Sequence, residues 1–572
     1  MHLFLRRTFL LANAFTIVQA LPTVTIPAGN IQGTTCPNGA NASHAVPYAA
    51  PPTGDLRWVS PQAYNKSFPA SGYNATTLGA SCIQFGTEFL ETGSTSEDCL
   101  QVNIWTPSNA TNTSKLPVKV WVYGGSDQAG GIEDPLYNGC NLAAHDTVLV
   151  SVNYRLGPLG FLSAKSAGIT GNFGIEDIIF ALEWVQSNID SFGGDPRKVL
   201  LFGQSTGALD TFIISTLSKA PSIMNAAVWE SGVGPQLATS TEYDAYGTNF
   251  TSQLNCSISD AACLRSATPS ALQSTFLQQP NALIYSGLNL QFAPFVDGVI
   301  IPAQPWSIGP KVPMIFGTMA DEGNILALGA YPTTFTNLTE SDYTDFLSQN
   351  FGAAASLVSE QYPLSDFDAS PFPIFTVIGT GTIQMPYLSS NAPSTSKQYS
   401  RLQLFRLTRA THTSEIPFVF GNGNLLPQQL PVGNCSFTPQ EWSISENLIA
   451  AWTAMAATGN PSVQGGLKWP QWNSCTSTGV NILNETTVGA VDYSSCSFWD
   501  MINAEYLNYT TPSAFSTGNG TACNASSQIS PDGSSVGGAG STGLPVSNGV
   551  EKEVKVGVWS LVLILGIAMS LI

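Results

Sequence analysis

The stretch KVLLFGQSTG (198–207) decides the fold class of this 572-residue chain. Its apolar half, KVLLF, predicts a buried strand, and a helix-like segment follows Gly207. Ser205 stands between them, with Gly203 two positions before it and Gly207 two positions after it. Larger side chains at the two glycines would collide in a sharp strand-to-helix turn, which lifts a serine hydroxyl clear of the sheet. The stretch therefore predicts Ser205 as a nucleophile above the amides of the next helix.

Two further apolar runs lie upstream, VKVWVY (118–123) and TVLVSVNY (147–154). Such near-continuous runs are typical of strands that are covered on both faces. Strand, helix, strand and helix in this order predict an α/β fold with a mostly parallel sheet. The helix between the second and third strands is indicated by apolar residues at helical spacing: Ile175, Ile178, Ile179, Leu182, Val185 and Ile189.

A serine hydroxyl is a weak nucleophile unless a base takes its proton, and the chain offers four histidines. His2 lies in the apolar amino-terminal segment, His44 precedes a proline-rich segment, and His145 comes just before a predicted strand. His412 follows the strand-like LQLFRL (402–407) in a polar context. Because open α/β sheets build their sites at the carboxyl ends of strands, His412 is predicted as the base.

The base also needs an acid that fixes its tautomer. In the chain order serine, acid, histidine, this acid lies between Ser205 and His412. The segment PMIFGTMADEGN (313–324) offers an apolar strand followed by Asp321 and Glu322. The residues alone leave both carboxylates open.

The composition excludes several other classes of protein. The chain has 20 Lys and Arg against 38 Asp and Glu, a net charge of −18. Nucleic-acid binding is therefore not expected, since its affinity comes mainly from cationic contacts with phosphate. The sequence contains no Cys-x-x-Cys pair and no His-x-x-x-His spacing, so a structural zinc site is not expected. The serine chemistry requires no metal or other cofactor.

The amino-terminal segment and the glycosylation sequons predict export. Residues 1–20 carry Arg6 and Arg7, an apolar stretch and a small-residue cleavage pattern that ends at Ala20, as a signal peptide does. Thirteen Asn-x-Ser/Thr sequons run from Asn41 to Asn524. We expect a secreted or cell-surface protein with a single catalytic domain over residues 21–512.

The carboxyl-terminal region predicts a lipid anchor. Residues 513–549 are rich in Ser, Gly and Asn and read as a stalk. Residues 550–572 contain a short charged spacer and an uncharged apolar tail (556–572), preceded by small residues at 547–549. This order is typical of a glycosylphosphatidylinositol (GPI) attachment signal. A true membrane span is the alternative, but 17 residues is the short limit for crossing a bilayer.

The ten cysteines of an exported chain are expected to be largely oxidised. Two close pairs predict local disulfides, Cys82 with Cys99 and Cys256 with Cys263. Six others cannot be paired from the sequence: Cys36, Cys140, Cys435, Cys475, Cys496 and Cys523.

Beyond these patterns, the chain resembles the type-B carboxylesterase/lipase family, whose members include cholinesterases and fungal lipases. The resemblance runs from about residue 46 to 420 and implies an α/β-hydrolase fold, with helices on a mostly parallel sheet, and ester hydrolysis. It is carried by VPYAAPPTGDLRW (46–58), EDCLQVNIW (97–105), NYRLGPLGFL (153–162), GNFGIEDIIFALEWVQSNI (171–189) and FGGDPRKVLLFGQSTG (192–207).

The resemblance also implies roles for residues of the acid and base motifs. The family's acid is the Glu of an Asp-Glu-Gly motif, which falls on Glu322, and its base falls on His412 in HTSEIPFVFG (412–421). Ser231, in a Glu-Ser-Gly segment, resembles a serine that supports the acid. Two structural ion pairs are implied, Arg57 with Glu97 and Arg155 with Asp177.

The family's oxyanion hole is formed by amides of a glycine run and of the residue after the nucleophile. Those positions are Gly125, Ser126 and Thr206 in this chain. The third glycine of the run is replaced by Ser126, the small residue after the nucleophile is Thr206, and Asp127 stands where an aromatic residue is usual. An amide donor remains in each case, while the added bulk is expected to narrow or polarise the acyl pocket.

The loop between Cys82 and Cys99 bears on the substrate. It holds 16 residues and no tryptophan. A site for a quaternary ammonium group requires an aromatic face, so cholinesterase activity is disfavoured. A lid for lipase action would need a longer loop. We therefore expect hydrolysis of small to medium neutral esters; the alternatives are a lipase and a catalytically inactive surface recognition protein of the same fold.

Overall fold

The computed structural model describes most of the predicted domain. The predicted signal peptide (1–20), stalk (513–549) and terminal region (550–572) lie outside the described residues. No helix within the described ranges is both long enough and apolar enough to span a membrane. The described residues are 21–86, 93–232, 237–279, 292–319, 322–323, 338–367, 398–399, 402–404, 412–424, 436–472, 478–482, 486–490, 498–499, 501–502 and 506.

The strands match the apolar runs of the sequence. The runs at 118–123, 147–154 and 198–202 become three neighbouring strands, β9 to β11. In chain order the described strands are β1 Thr23–Ile26, β2 Gly29–Gln32, β3 Thr34–Thr35, β4 Asn41–Pro47, β5 Tyr73–Asn74, β6 Ser81–Cys82, β7 Thr95–Ser96, β8 Gln101–Thr106, β9 Leu116–Val122, β10 Val148–Val152, β11 Gly194–Gln204, β12 Ala226–Glu230, β13 Ala238–Thr239, β14 Phe295–Val296, β15 Met314–Gly317, β16 Gln398–Tyr399, β17 Leu402–Leu404, β18 Thr478–Ile482 and β19 Thr486–Ala490.

The largest sheet among the described residues has nine strands in the order β16-β15-β12-β11-β9-β10-β8-β4-β3. The pairs from β16 through β10 are parallel, and the pairs among β10, β8, β4 and β3 are antiparallel. The predicted α/β class with a mostly parallel sheet is confirmed. Strand β17, which precedes His412 in the sequence, pairs instead with β18 in a separate sheet of three strands.

Helices join the parallel strands and cover the sheet. The predicted helix around Ile178 forms as α3, between β10 and β11, and α4 follows β11 directly. Helix α4 and the long helix α13 both pack against the central strands β9, β11 and β12. The described α-helices are α1 Cys140–Ala143, α2 Gly157–Phe161, α3 Phe173–Asn188, α4 Thr206–Thr216, α5 Ala220–Ile223, α6 Ser240–Gln253, α7 Ala261–Ser266, α8 Pro269–Leu277, α9 Pro305–Ile308, α10 Glu340–Phe351, α11 Ala355–Gln361, α12 Ile416–Phe420 and α13 Pro439–Thr458.

The strand register brings four loop segments to one edge of the sheet. Gly203 pairs with Val122, Gln204 pairs with Glu230, and Glu230 pairs with Gly317. The segments that follow β9, β11, β12 and β15 therefore leave from the same carboxyl edge. This edge is where open α/β sheets place their ligand sites.

Disulfides and buried ion pairs fasten the chain around this sheet. Both ion pairs that the resemblance implied are present. Arg155 contacts Asp177 through two guanidinium nitrogens, at 2.8 and 2.7 Å, and both side chains are buried. Arg57 Nε lies 2.7 Å from Glu97 Oε2. Three disulfides are described, of which the first could not be paired from sequence: Cys36–Cys140, Cys82–Cys99 and Cys256–Cys263.

Candidate active site

Ser205 occupies a sharp turn between β11 and α4. Its backbone has φ +57° and ψ −125°, a conformation that residues with side chains rarely adopt. The amide of Ser205 donates to Glu230 O at 2.9 Å, which ties the turn to the neighbouring strand β12. Ser205 is partly exposed although its neighbours on both sides are buried. The turn thus presents this serine at the carboxyl edge of the sheet.

The two glycines that flank the turn are required by close backbone contacts. A Cβ atom on Gly203 would lie 2.3 Å from Gly207 O, and one on Gly207 would lie 2.3 Å from Val122 O. Because real Cβ atoms do not approach so closely, any side chain here would force the strand, the turn and the helix apart. The collision expected from the sequence is therefore present in the structure.

His412 and Glu322 are joined by a buried hydrogen bond. His412 Nδ1 lies 2.7 Å from Glu322 Oε2, and the other oxygen, Oε1, accepts from the amide of Met319 at 2.7 Å. Glu322 is fully buried and His412 is 6% exposed. When Nδ1–H donates to Glu322, the proton-free nitrogen of the imidazole is Nε2, as a general base requires. The competing acid, Asp321, lies outside the described residues.

Gln204 is a contact of His412 that the sequence did not indicate. Its side-chain Nε2 lies 3.1 Å from His412 Nε2, and the residue is buried at the end of β11. With Nδ1–H directed at Glu322, this amide donates to the nitrogen that would take a proton from a nucleophile. Gln204 therefore holds the ring in its described position through Nε2. Its place immediately before Ser205 is the only sequence signal for this contact.

The loop after β9 holds the amides predicted for an oxyanion hole. Three consecutive residues have positive φ: Gly125 at +117°, Ser126 at +59° and Asp127 at +57°. Thr206 is the first residue of α4, where a helix leaves its amide without an intrahelical acceptor. No described residue accepts a hydrogen bond from the amides of Gly125, Ser126 or Thr206. These amides are free to stabilise a developing oxyanion, and that role remains a prediction.

Ser231 lies at the end of β12, with φ +51°. Its amide donates to Gly317 O at 2.9 Å, while its buried hydroxyl has no hydrogen-bond partner among the described residues. The support for Glu322 that the resemblance implied therefore remains a prediction as well. The Ser231 side chain lines a cavity of about 10 Å³, close to the space that one water molecule requires.

Two buried glutamates line the same cavity. Burial raises the pKa of Glu230 to about 8. A hydrogen bond from Trp452 and the nearby Lys119 ammonium lower this pKa, but their effects are smaller than that of burial. Burial, together with smaller contributions from Glu230 and Glu322, raises the pKa of Glu415 to about 8, against the opposing effect of His412. Both groups are therefore largely protonated at neutral pH.

His44 and His145, which the sequence did not favour as the base, make other contacts. His44 belongs to β4 and meets Trp105 edge-on, and burial lowers its pKa. His145 lies 3.5 Å from Glu446 at the surface. Of the three histidines that the structure describes, His412 is the one bonded to a buried acid.

Together, a serine at a strand-to-helix turn, a histidine bonded to a buried acid and amides in a glycine-containing loop define an α/β-hydrolase arrangement. The sequence matches the carboxylesterase family over residues 20–362 and 385–499. The chain belongs to this family, so the resemblance seen in its motifs is confirmed.

Three relatives illustrate the range of the family. The chain is 31% identical to the fumonisin B1 esterase of Sphingopyxis macrogoltabida over 456 residues, covering 75% of this chain and 80% of the relative. It is 29% identical to the para-nitrobenzyl esterase of Bacillus subtilis, covering 81% and 95%. It is 28% identical to acetylcholinesterase-1 of Trittame loki, covering 84% and 94%. Membership and these names support carboxylic ester hydrolase activity.

The variant Glu322→Gln tests whether Glu322 is the acid that supports His412. Replacing Glu322 by Gln removes the charge that would stabilise the imidazolium, so we expect kcat for a short-chain nitrophenyl ester to fall by roughly a thousandfold or more. Asp321→Asn, one residue away, serves as the matched control and should lower kcat much less. A larger loss in the Asp321 variant would show that the acid has been assigned one residue out.

Proposed function

We propose that the chain hydrolyses small to medium neutral carboxylic esters through an acyl-enzyme formed on Ser205. The observation that carries this proposal is the 2.7 Å hydrogen bond between His412 and the buried Glu322, at the sheet edge where Ser205 leaves β11. This bond fixes the histidine tautomer that can take a proton at Nε2.

In the proposed mechanism, Ser205 Oγ attacks the ester carbonyl while His412 Nε2 takes the hydroxyl proton. Glu322 stabilises the imidazolium that forms. The amides of Gly125, Ser126 and Thr206 receive the oxyanion, and one such donor is worth about 3 kcal/mol in comparable sites. His412 then gives its proton to the leaving alcohol. Water attacks the acyl-enzyme by the same route and releases the acid.

The substrate class follows from the loop between Cys82 and Cys99. The disulfide closes this loop, and its ends pair as the short strands β6 and β7. Its sequence offers no tryptophan for a quaternary ammonium group and is short for a lid. Neutral esters therefore suit the site better than choline esters or emulsified lipids.

We also propose that the protein is exported and held at the cell surface by a GPI anchor near residues 547–549. Three disulfides within the described residues suit an oxidising compartment. The apolar amino-terminal segment, thirteen sequons and the order of small residues, spacer and apolar tail support the same location.

Replacement of the nucleophile tests the enzymatic proposal. Ser205→Ala should retain its fold, as judged by circular dichroism, and should hydrolyse a short-chain nitrophenyl ester at no more than a few per cent of the wild-type kcat, because no hydroxyl remains to be acylated. Ser187→Ala, on the exposed face of α3, is the control and should behave as the wild type. Appreciable turnover by Ser205→Ala would remove Ser205 from the mechanism, and an inactive wild type would favour a recognition protein.

Enzymatic release from membranes tests the anchor. Phosphatidylinositol-specific phospholipase C should release the protein from intact cells, provided that the inositol is not acylated, and the released form should lack residues 556–572. A membrane span of the same residues would give the same fractionation without release. Detection of a peptide from 556–572 in the mature protein would therefore contradict the lipid anchor.

A further inference from the structure

Two buried aspartates meet beside the predicted oxyanion hole. Asp127 follows Ser126 in the loop after β9, and Asp210 lies in α4, one turn beyond Thr206. Both side chains are fully buried. The sequence marks Asp127 only as a departure from the family pattern and gives no signal for Asp210. The structure shows that the two residues belong to one cluster.

The two carboxyl groups lie within hydrogen-bonding reach of each other, so a proton on one of them can bridge to the other. The Asp127 amide donates to Thr206 Oγ1 at 3.2 Å. Tyr154 Oη donates to Tyr123 O at 2.9 Å and shares its proton with Asp127 Oδ1, at the longer distance of 3.4 Å. No N–H or O–H donor among the described residues bonds either oxygen of Asp210. Asp210 therefore relies on Asp127 for its hydrogen bond.

The groups facing this pair carry no compensating positive charge. The nearby titratable groups that interact electrostatically with Asp127 are the hydroxyls of Tyr123 after β9, Tyr154 after β10 and Tyr243 on α6. Burial raises the pKa of each of these hydroxyls well above its ordinary value. The Arg155 guanidinium, next along the chain from Tyr154, is taken up by Asp177. No cation among the described residues lowers the pKa of Asp127 or Asp210.

A hydrogen bond between two carboxyl groups requires a proton on one of them. Two carboxylates in contact without a cation would repel each other in a medium of low dielectric, so the pair retains one proton. Burial raises the pKa of Asp127 to about 7, and burial together with the Asp127 charge raises the pKa of Asp210 well above its ordinary value. Such a pair titrates as a unit, in two steps.

The pair connects the two parts of the oxyanion hole. Ser126 and Asp127 both have positive φ, which a residue with a side chain keeps only where its surroundings enforce it. The Asp127 carbonyl accepts from the Gly157 amide at 2.6 Å, and its amide donates to Thr206 Oγ1 on α4 at 3.2 Å. Its carboxyl group meets that of Asp210 on the same helix. The loop that carries the Gly125 and Ser126 amides is thereby fastened to the helix that carries the Thr206 amide.

We propose that Asp127 and Asp210 are positioning residues: a carboxyl pair that shares one proton, holds the Gly125–Ser126 amides in place relative to the Thr206 amide, and loses this hold when the proton is released to solvent. The inference rests on the proposed function, since it concerns the geometry of that same hole. Both carboxyl groups are fully buried, so the proposed role acts through the loop and the helix and not on the reacting atoms.

The direction of the pH effect follows from the raised pKa values. The bond between the carboxyl groups is intact while the pair keeps its proton and is lost as pH rises above about 7. Oxyanion stabilisation acts on the transition state. We therefore expect kcat to fall on the alkaline side while KM changes little.

The test compares pH profiles of kcat for a short-chain nitrophenyl ester between pH 6 and 9.5, with the Ser205→Ala rate subtracted at each pH. In Asp210→Asn, an amide that cannot lose its proton donates to Asp127, so the alkaline fall should be smaller than in the wild type. Asp210→Ala removes the bond and should lower kcat at all pH values, by at least about tenfold. Asp190→Asn, exposed before β11 at the opposite end of that strand, should keep the wild-type profile.

The comparison separates the pair from other groups that titrate in this range. Glu230 and Glu415 have pKa values near 8, but they are present in every variant. An Asp210→Asn profile that falls as the wild type does, or equal kcat values for the Asn and Ala variants, would overturn the inference. If a variant at 210 does not fold, Asp127→Asn provides the same amide-to-carboxylate bond and decides the question. A wild type without esterase activity at any pH would instead refute the proposed function.

Discussion

The close contact of β9, β11 and the first turn of α4 constrains every other part of the site. Gly203 and Gly207 allow backbones to approach where a Cβ would lie 2.3 Å from a carbonyl oxygen. This approach forces Ser205 into its strained conformation and leaves it partly exposed. It also places the amide of Thr206 close to the loop that leaves β9. The parallel register then brings the segments after β12 and β15 to the same edge.

Electrostatics distinguish Glu322 from the other buried acids nearby. Glu322 accepts hydrogen bonds from Met319 and His412, while Glu415 lacks a side-chain partner among the described residues. Burial keeps Glu230 and Glu415 protonated at neutral pH, with pKa values raised to about 8. One carboxylate can then stabilise an imidazolium without competing charges beside it.

Local patterns predicted the central strands and helices around Ser205, whereas the other elements and the contacts between distant residues required the structure. The apolar run before Ser205 and the glycines around it indicated β11 and α4, because strand and turn preferences are local. Spacing could not reveal the Cys36–Cys140 disulfide, whose cysteines are 104 residues apart. The contact of Gln204 with His412 and the pairing of Asp127 with Asp210 likewise depend on tertiary packing. For the same reason, the residues alone could not choose between Asp321 and Glu322.

The central claim is that Ser205 is the single activated nucleophile of the folded protein. The most direct measurement is peptide mass spectrometry of the wild-type protein after treatment with a fluorophosphonate probe, which reacts with activated serines. We expect one adduct per chain, on the peptide that contains Ser205, and no adduct in Ser205→Ala. An adduct on another residue, or no adduct on a wild type that hydrolyses esters, would contradict the proposed site.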